Sequence, residues 1–147
     1  MKSFGTLIAA FGRQYEVRSD NGDVLLCVPR GKKSLFACGD RVQVATSGPG
    51  QGVIEKLVER RSLLYRSDAW RQKLIAANAT QVVLVVATEP SFSDEFLSRC
   101  ICAAESQHLK ILIVLNKADL PAGLDAARTL LAPFAALDYP ILELSAL

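Results

Sequence analysis

The chain is poor in the residues that build metal and redox centres. A single histidine, His108, and four cysteines, Cys27, Cys38, Cys100 and Cys102, occur in 147 residues, and no two cysteines form a C-x-x-C pair. Zinc binding by this segment is therefore not expected, because a tetrahedral site needs clustered Cys or His ligands. The cysteines read instead as buried, reduced thiols. Cys27 lies in an apolar strand, and Cys100 and Cys102 would point different ways on a helix. Long apolar runs are missing too, and none approaches the roughly 20 residues that span a bilayer. Met1-Lys2-Ser3-Phe4 leads directly into strand-like sequence, not a signal peptide. A cytoplasmic location with no membrane partner is the expectation.

A strong charge of either sign is also missing, but only from the total of +2. Residues 1–66 carry 11 Lys and Arg against 6 Asp and Glu, a net of +5, whereas residues 67–147 carry 6 against 9, a net of −3. A basic module joined to a more acidic one is expected, with nucleic acid as a natural partner for the first. Hydrophobic residues make up 50% of the chain, enough to give each part a packed core.

Within residues 1–60, the stretches 6–11, 15–18, 24–28, 41–45 and 53–58 are short and rich in β-branched or aromatic residues, with Gly, Asn, Asp or Pro between them. Asp20-Asn21-Gly22-Asp23 is a hairpin signal, and residues 47–52 form a longer Gly-Pro connection. Five strands in about sixty residues predict an all-β barrel of the OB type. Such barrels commonly bind nucleic acid. The loop Pro29-Arg30-Gly31-Lys32-Lys33-Ser34 is basic, and Arg18 and Arg41 are further cations available to phosphates. Arg30, Lys32, Lys33, Arg18 and Arg41 are the candidate RNA contacts, against the alternative that the loop is simply solvated. Phe4, Phe11 and Phe36 are expected in the core, because a small barrel needs large interior residues.

Residues 61–81 read as a linker of mixed charge, anchored in places by Tyr65 and Trp70. From there strand and helix alternate. Residues 81–87 are an apolar strand, and Ser91 or Ser93 caps a helix with Asp94 and Glu95 in its first turn. Phe96, Leu97, Cys100, Ile101 and Ala104 supply its buried stripe. A second helix is expected over 124–137, disturbed by Pro133, with a third strand at 141–144. Two βαβ units imply a parallel sheet.

The middle strand of that sheet, residues 111–115, is a continuous apolar run that stops at Asn116-Lys117-Ala118-Asp119. Polar groups at the carboxyl end of a buried parallel strand sit where open α/β sheets bind ligands. An ionised Asp only accepts hydrogen bonds. Guanine presents two adjacent donors, its ring N1–H and its 2-amino group, which one carboxylate takes together. Adenine offers an acceptor there and would leave Asp119 unpaired, a mismatch that discriminates by roughly 10⁴–10⁵. Asn116 braces the loop or reaches the far edge of the base, and the Lys117 stem lies along the purine face with its ammonium in water. Leu142-Glu143-Leu144-Ser145-Ala146 reads as a strand ending in small residues, which lets a backbone N–H approach the guanine oxygen. The bland alternative is a strand-to-helix turn with Asp119 as a helix cap.

A nucleoside triphosphate site also needs a phosphate cradle, usually G-x-x-x-x-G-K-[ST] opening a helix, and groups to hold Mg²⁺. The chain has no such motif, and no Asp is followed three residues later by Gly. The order of parts is therefore expected to be permuted, with the phosphate-binding half after residue 147, and this chain alone is expected to be inactive. Two functions stay open: a GTP hydrolase of which this is the N-terminal part, or a non-hydrolysing RNA-binding adaptor with a vestigial nucleotide fold.

With barrel, linker and base-reading motif in this order, the sequence resembles the ribosome small-subunit-dependent GTPases of the RsgA type over essentially its whole length. The resemblance is carried by Ile75-Ala76-Ala77-Asn78, by Val114-Leu115-Asn116-Lys117-Ala118-Asp119 and by Leu144-Ser145-Ala146. Thr80 departs from the acidic residue of many relatives without touching any chemistry. The resemblance implies an OB-fold ribosome-binding domain over 1–60, a linker over 61–81, and over 82–147 the first part of a circularly permuted P-loop GTPase domain. It implies GTP with Mg²⁺, Zn²⁺ in a further C-terminal domain, and a monomer acting in late maturation of the small ribosomal subunit through its rRNA. It assigns Asn116, Lys117, Asp119, Ser145 and Ala146 to guanine binding.

Overall fold

A computed structural model describes residues 2–31, 36–67 and 72–146. Five strands, β1 (Lys2–Phe11), β2 (Gln14–Ser19), β3 (Val24–Pro29), β4 (Arg41–Gly48) and β5 (Gln51–Leu57), close into a barrel in the order β1-β2-β3-β5-β4. β1 pairs antiparallel with both β2 and β4, which shuts the barrel, while β3 runs parallel to β5. This is the OB-type arrangement expected from the strand rhythm. The Asn-Gly turn forms as the pattern required: Gly22 takes φ +94°, and its N–H donates to the Ser19 carbonyl at 2.9 Å.

Leu7, Tyr15, Val17, Cys27, Val42, Val44 and Ile54 fill the barrel. Phe36 packs against them, edge-on to Tyr15 at 5.5 Å. Phe4 and Phe11, expected inside, are 46% and 61% exposed. Strand parity explains Phe4. Gly5 faces inward, where a Cβ would lie 2.6 Å from Val17 Cγ1, so its neighbour on β1 must face out. The cysteines are all free, but only Cys27 is buried. Cys38 and Cys100 are half-buried and Cys102 is exposed, which corrects the expectation of four buried thiols. Burial pushes the Cys27 and Cys100 thiols up from their ordinary value.

The stretch expected to be an irregular linker contains a hairpin of β6 (Leu63–Ser67) and β7 (Gln72–Ala77), with Tyr65 exposed. Trp70 lies outside the described residues. The hairpin belongs to the same compact unit as the barrel, Met1–Ala79. Ala77 N–H donates to the Cys38 carbonyl at 2.8 Å, and Asn78 Nδ2 to the Gly39 carbonyl at 2.9 Å. Gly39 allows this approach: it has φ +91°, and a Cβ there would sit 2.1 Å from the Ala77 carbonyl oxygen. Beneath it, the fully buried Asp40 carboxylate receives Arg60 Nε and Nη2, each at 2.7 Å, and Ala37 N–H at 2.8 Å.

The second unit, Thr80–Leu147, contains β8 (Gln81–Ala87), α1 (Asp94–Glu105), β9 (Lys110–Asn116), α2 (Leu124–Ala136) and β10 (Ile141–Glu143). The three strands are parallel in the order β10-β9-β8. Ser93 caps α1, accepting from Phe96 N–H at 3.2 Å. Leu97, Ile101 and Ala104 are its buried residues, whereas Phe96 is exposed and not part of the stripe. α2 continues through Pro133 to Ala136. Right-handed crossovers in this strand order put both helices on one face of the sheet. On the other face Val83 and Val85 of β8 and Leu142 of β10 are exposed, with Val85 and Leu142 both in register with Val114. Among the described residues no helix is long and apolar enough to cross a membrane.

Candidate guanine-binding site

The site forms where the three parallel strands end. Ala87 is in register with Asn116, and Leu115 with Glu143, so the segments after β8, β9 and β10 meet at one edge. Ala118 N–H donates to the Leu144 carbonyl at 3.1 Å and Leu144 N–H to the Leu115 carbonyl at 3.0 Å, which stitches the motif to the last strand.

Asn116 acts as the brace. Its Oδ1 accepts Lys117 N–H at 2.8 Å and Ala146 N–H at 3.0 Å. The carbonyl end of the amide is thereby occupied, and the donor end, Nδ2, has no partner among the described residues. Of the backbone N–H groups at this strand end, that of Ala146 is engaged by Asn116. Asp119 accepts a hydrogen bond from Ser145 Oγ on Oδ1, and both carboxylate oxygens keep acceptor capacity. It is not a helix cap, since α2 is preceded by Gly123 at the N-cap position. The five sequence-predicted residues are thus brought together: Asn116 bonds Ala146 across 30 residues of chain and also its neighbour Lys117, and Asp119 bonds Ser145.

Lys117 takes φ +60°, a left-handed conformation costly for a residue with a Cβ. Several contacts hold it there. Its carbonyl accepts Thr88 Oγ1–H at 3.3 Å and Leu120 N–H at 3.0 Å, and its Nζ donates to the Glu89 carbonyl at 2.7 Å. One donor of the ammonium is therefore tied to the segment after β8, and the side chain stays exposed to solvent as expected. Thr88 is a buried polar residue and Glu89 precedes a cis proline. Neither was singled out from sequence, although a hydroxyl directly after an apolar strand, beside the motif strand, was the available signal.

Arg128 of α2 clamps Glu143 of β10, Nε to Oε1 at 2.9 Å and Nη2 to Oε2 at 2.8 Å. This fixes the strand that delivers Ser145 and Ala146, and the guanidinium holds the Glu143 carboxyl below its ordinary value.

The candidate RNA residues are distributed differently. Lys32 and Lys33 lie outside the described residues. Arg30 shares Glu55 with Lys2, at 3.2 and 3.0 Å. Arg41 is paired with Asp20, while Arg18 has no ion pair among the described residues. Arg18 and Arg41 flank Thr6 across β2, β1 and β4, and Arg30 is separate from them in register.

The RsgA GTPase family model matches residues 57–147. The chain is 53% identical over 142 residues to the small ribosomal subunit biogenesis GTPase RsgA of Nitrosospira multiformis, covering 97% of this chain and 45% of that protein. It is also 53% identical to the protein of that name from Burkholderia pseudomallei, over 96% of this chain and 45% of the relative. The chain thus spans about half the length of the curated relatives it matches. Its fold superposes on the crystal structure of YjeQ from Thermotoga maritima with a TM-score of 0.72 and 29% identity, covering 99% of this chain and 52% of that one. The fold of YloQ, a circularly permuted GTPase, is also similar, with a TM-score of 0.68 at 22% identity, covering 99% of this chain and 52% of that one.

Proposed function

This chain belongs to the RsgA GTPase family, and from that premise we propose that it forms the barrel and guanine-recognition half of a GTP hydrolase acting in biogenesis of the small ribosomal subunit. The observation that carries this reading is the bonded set Asn116, Asp119, Ser145 and Ala146 at the carboxyl edge of a parallel sheet, with Asn116 Nδ2 and one Asp119 oxygen directed to no protein partner among the described residues. One amide donor and one carboxylate acceptor suit a purine with an acceptor at N7 and paired donors at N1 and the 2-amino group. A vestigial fold would have no need to keep these groups assembled, which speaks against the adaptor reading.

The phosphate-binding loop and the ligands of Mg²⁺ belong, in this proposal, to the portion of the relatives that this chain does not span. The exposed Val83, Val85 and Leu142 support it, because parallel sheets are usually covered on both faces. Zn²⁺ is proposed only for a further C-terminal domain. Residues 1–60 serve as the ribosome-binding barrel, 61–81 as the connection and 82–147 as the guanine-binding part, in a cytoplasmic monomer. The barrel contacts rRNA, with Arg30, Lys32, Lys33, Arg18 and Arg41 as the cations that support this assignment.

Turnover assays test the proposal. The full-length protein should release phosphate from GTP faster with small subunits present, and the 147-residue chain should release none, because hydrolysis rests on positioned phosphates, metal and water. Sustained release by the short chain would refute the assignment of the catalytic parts. Charge reversal at Arg30, Lys32 and Lys33 should weaken subunit binding and flatten its salt dependence.

A further inference from the structure

OB barrels commonly engage oligonucleotides across the outer face of β2 and β3. On this barrel that face is badly suited to a polyanion. β3 exposes Val24, Leu26 and Val28, and Glu16 of β2 stands directly opposite Leu26. Apolar groups and a carboxylate do not neutralise phosphate.

Apart from Arg18, at the end of β2 opposite Val24, the cations lie on the adjoining strands. Arg18 of β2 faces Thr6 of β1, which faces Arg41 of β4. In the next outward-facing row Phe4 of β1 faces Gln43 of β4, which faces Lys56 of β5. Cross-strand neighbours share a face, and Gly5 and Leu7, between and beside these β1 positions, are buried inside. Phe4 and its companions are therefore on the outer surface. Two clefts border them, one of about 440 Å³ lined by Thr6, Arg41 and Arg61, the other of about 570 Å³ lined by Phe4, Gln43 and Lys56. They meet at Val58 and Glu59. Arg18, Lys56 and Arg61 make no ion pair among the described residues, while Asp20 engages Arg41, and Glu59 is the one further carboxylate in the clefts. Phe4 has Lys56 beyond Gln43 on one side and, on the other, Asp20, whose carboxylate is taken up by Arg41, with Arg18 in the adjacent row. An exposed ring with cations close by is the chemistry of single-strand recognition, in which bases stack and phosphates are neutralised.

We infer that the barrel takes single-stranded RNA across β1, β4 and β5, with Phe4 as the stacking platform and Arg18, Lys56 and Arg61 as phosphate contacts. The inference rests on the ribosomal-RNA reading above and names its surface.

Binding of the full-length protein to a fluorescein-labelled oligouridylate, followed by anisotropy against salt, and to small subunits tests it, with GTP affinity as the control. Phe4→Ala should weaken oligouridylate binding roughly tenfold and Phe4→Trp should restore it. Lys56→Gln and Arg61→Gln should each lower the salt slope by about one. Leu26→Ser on β3 should change nothing. Full binding by Phe4→Ala and Lys56→Gln, with loss in Leu26→Ser, would return the site to the β2–β3 face. If Phe4→Ala loses small subunits but keeps the oligouridylate, the occupant is a ribosomal protein and the inference fails. If the unaltered protein holds GTP but binds neither RNA nor subunits, the ribosomal-RNA reading itself falls and this surface with it.

Discussion

The Thr88 hydroxyl donates to the Lys117 carbonyl at 3.3 Å, joining the end of β8 to a residue whose backbone is left-handed at φ +60°. On the far side of Thr88, its own carbonyl lies 3.4 Å from where a Cβ on Gly123 would be, at the start of α2. Thr88 thus sits between the base-reading loop and the helix that follows it. Its hydroxyl acts by holding Lys117.

Replacing Thr88 by Val keeps its shape and removes the donor. A hydrogen bond of this kind contributes about 1 kcal/mol, so GTP affinity of the full-length protein should fall about fivefold, and Thr88→Ser should restore it. Titration of a fluorescent guanine nucleotide reads the change. Equal affinity in Thr88→Val would mean that Glu89 and Leu120 suffice to hold the loop.

In the proposed site Asp119 would read the base through acceptors alone. Asp119→Asn should weaken GTP and improve xanthosine triphosphate, because the amide offers a donor to the 2-carbonyl of xanthine. Competition between the two nucleotides measures the switch. If both bind as before, the base is recognised elsewhere.

The Arg128–Glu143 clamp gives a pH dependence of known sign. The folded-state pKa of Glu143 is depressed, chiefly by its hydrogen bond from Arg128. Its contribution to stability is therefore present above the ordinary carboxylate value and lost as pH falls through the depressed one. The pair is solvent-exposed and its effect is small. Thermal melts should show Arg128→Gln slightly below the parent at neutral pH, with the gap closing in acid. A gap that persists there would mean that the Arg128 stem acts by packing on α2.

Asp40 and Arg60 carry more weight in the barrel. Asp40→Ala removes the acceptor of two Arg60 donors and of the Ala37 N–H, and losing the acceptor of buried donors costs about 1–3 kcal/mol. Arg60→Lys should lie between, since an ammonium cannot reproduce the two-pronged contact. Denaturant midpoints followed by a signal from the barrel-containing unit read both. An unmoved midpoint in Asp40→Ala would remove the pair from the stability of the barrel.

The assembly of the site shows what kind of information each part needed. The chain from Asn116 to Asp119 was legible because an apolar run followed by that motif is a local pattern, and Ser145-Ala146 followed one strand later. Thr88 was not legible, because its role depends on β8 lying beside β9 with Ala87 against Asn116. The 61–81 stretch misled for a similar reason. Its charged residues hide a hairpin whose hydrogen bonds to Cys38 and Gly39 exist only once the barrel is closed.

Sequence by itself determined eight of the ten strands, the two helices, the β2–β3 turn and the Asn116–Asp119 motif, since period, capping residues and turn chemistry act over a few neighbours. Tertiary structure alone decided which way the strands face and who stands beside whom. An inward Gly5 turned Phe4 to the surface, and the pairings of β1 with β2 and β4 set Arg18, Thr6 and Arg41 in one row. The physical reason is that a strand alternates its two faces with a period of two. A shift of one residue in register exchanges them, and only long-range pairing in the closed barrel fixes that register.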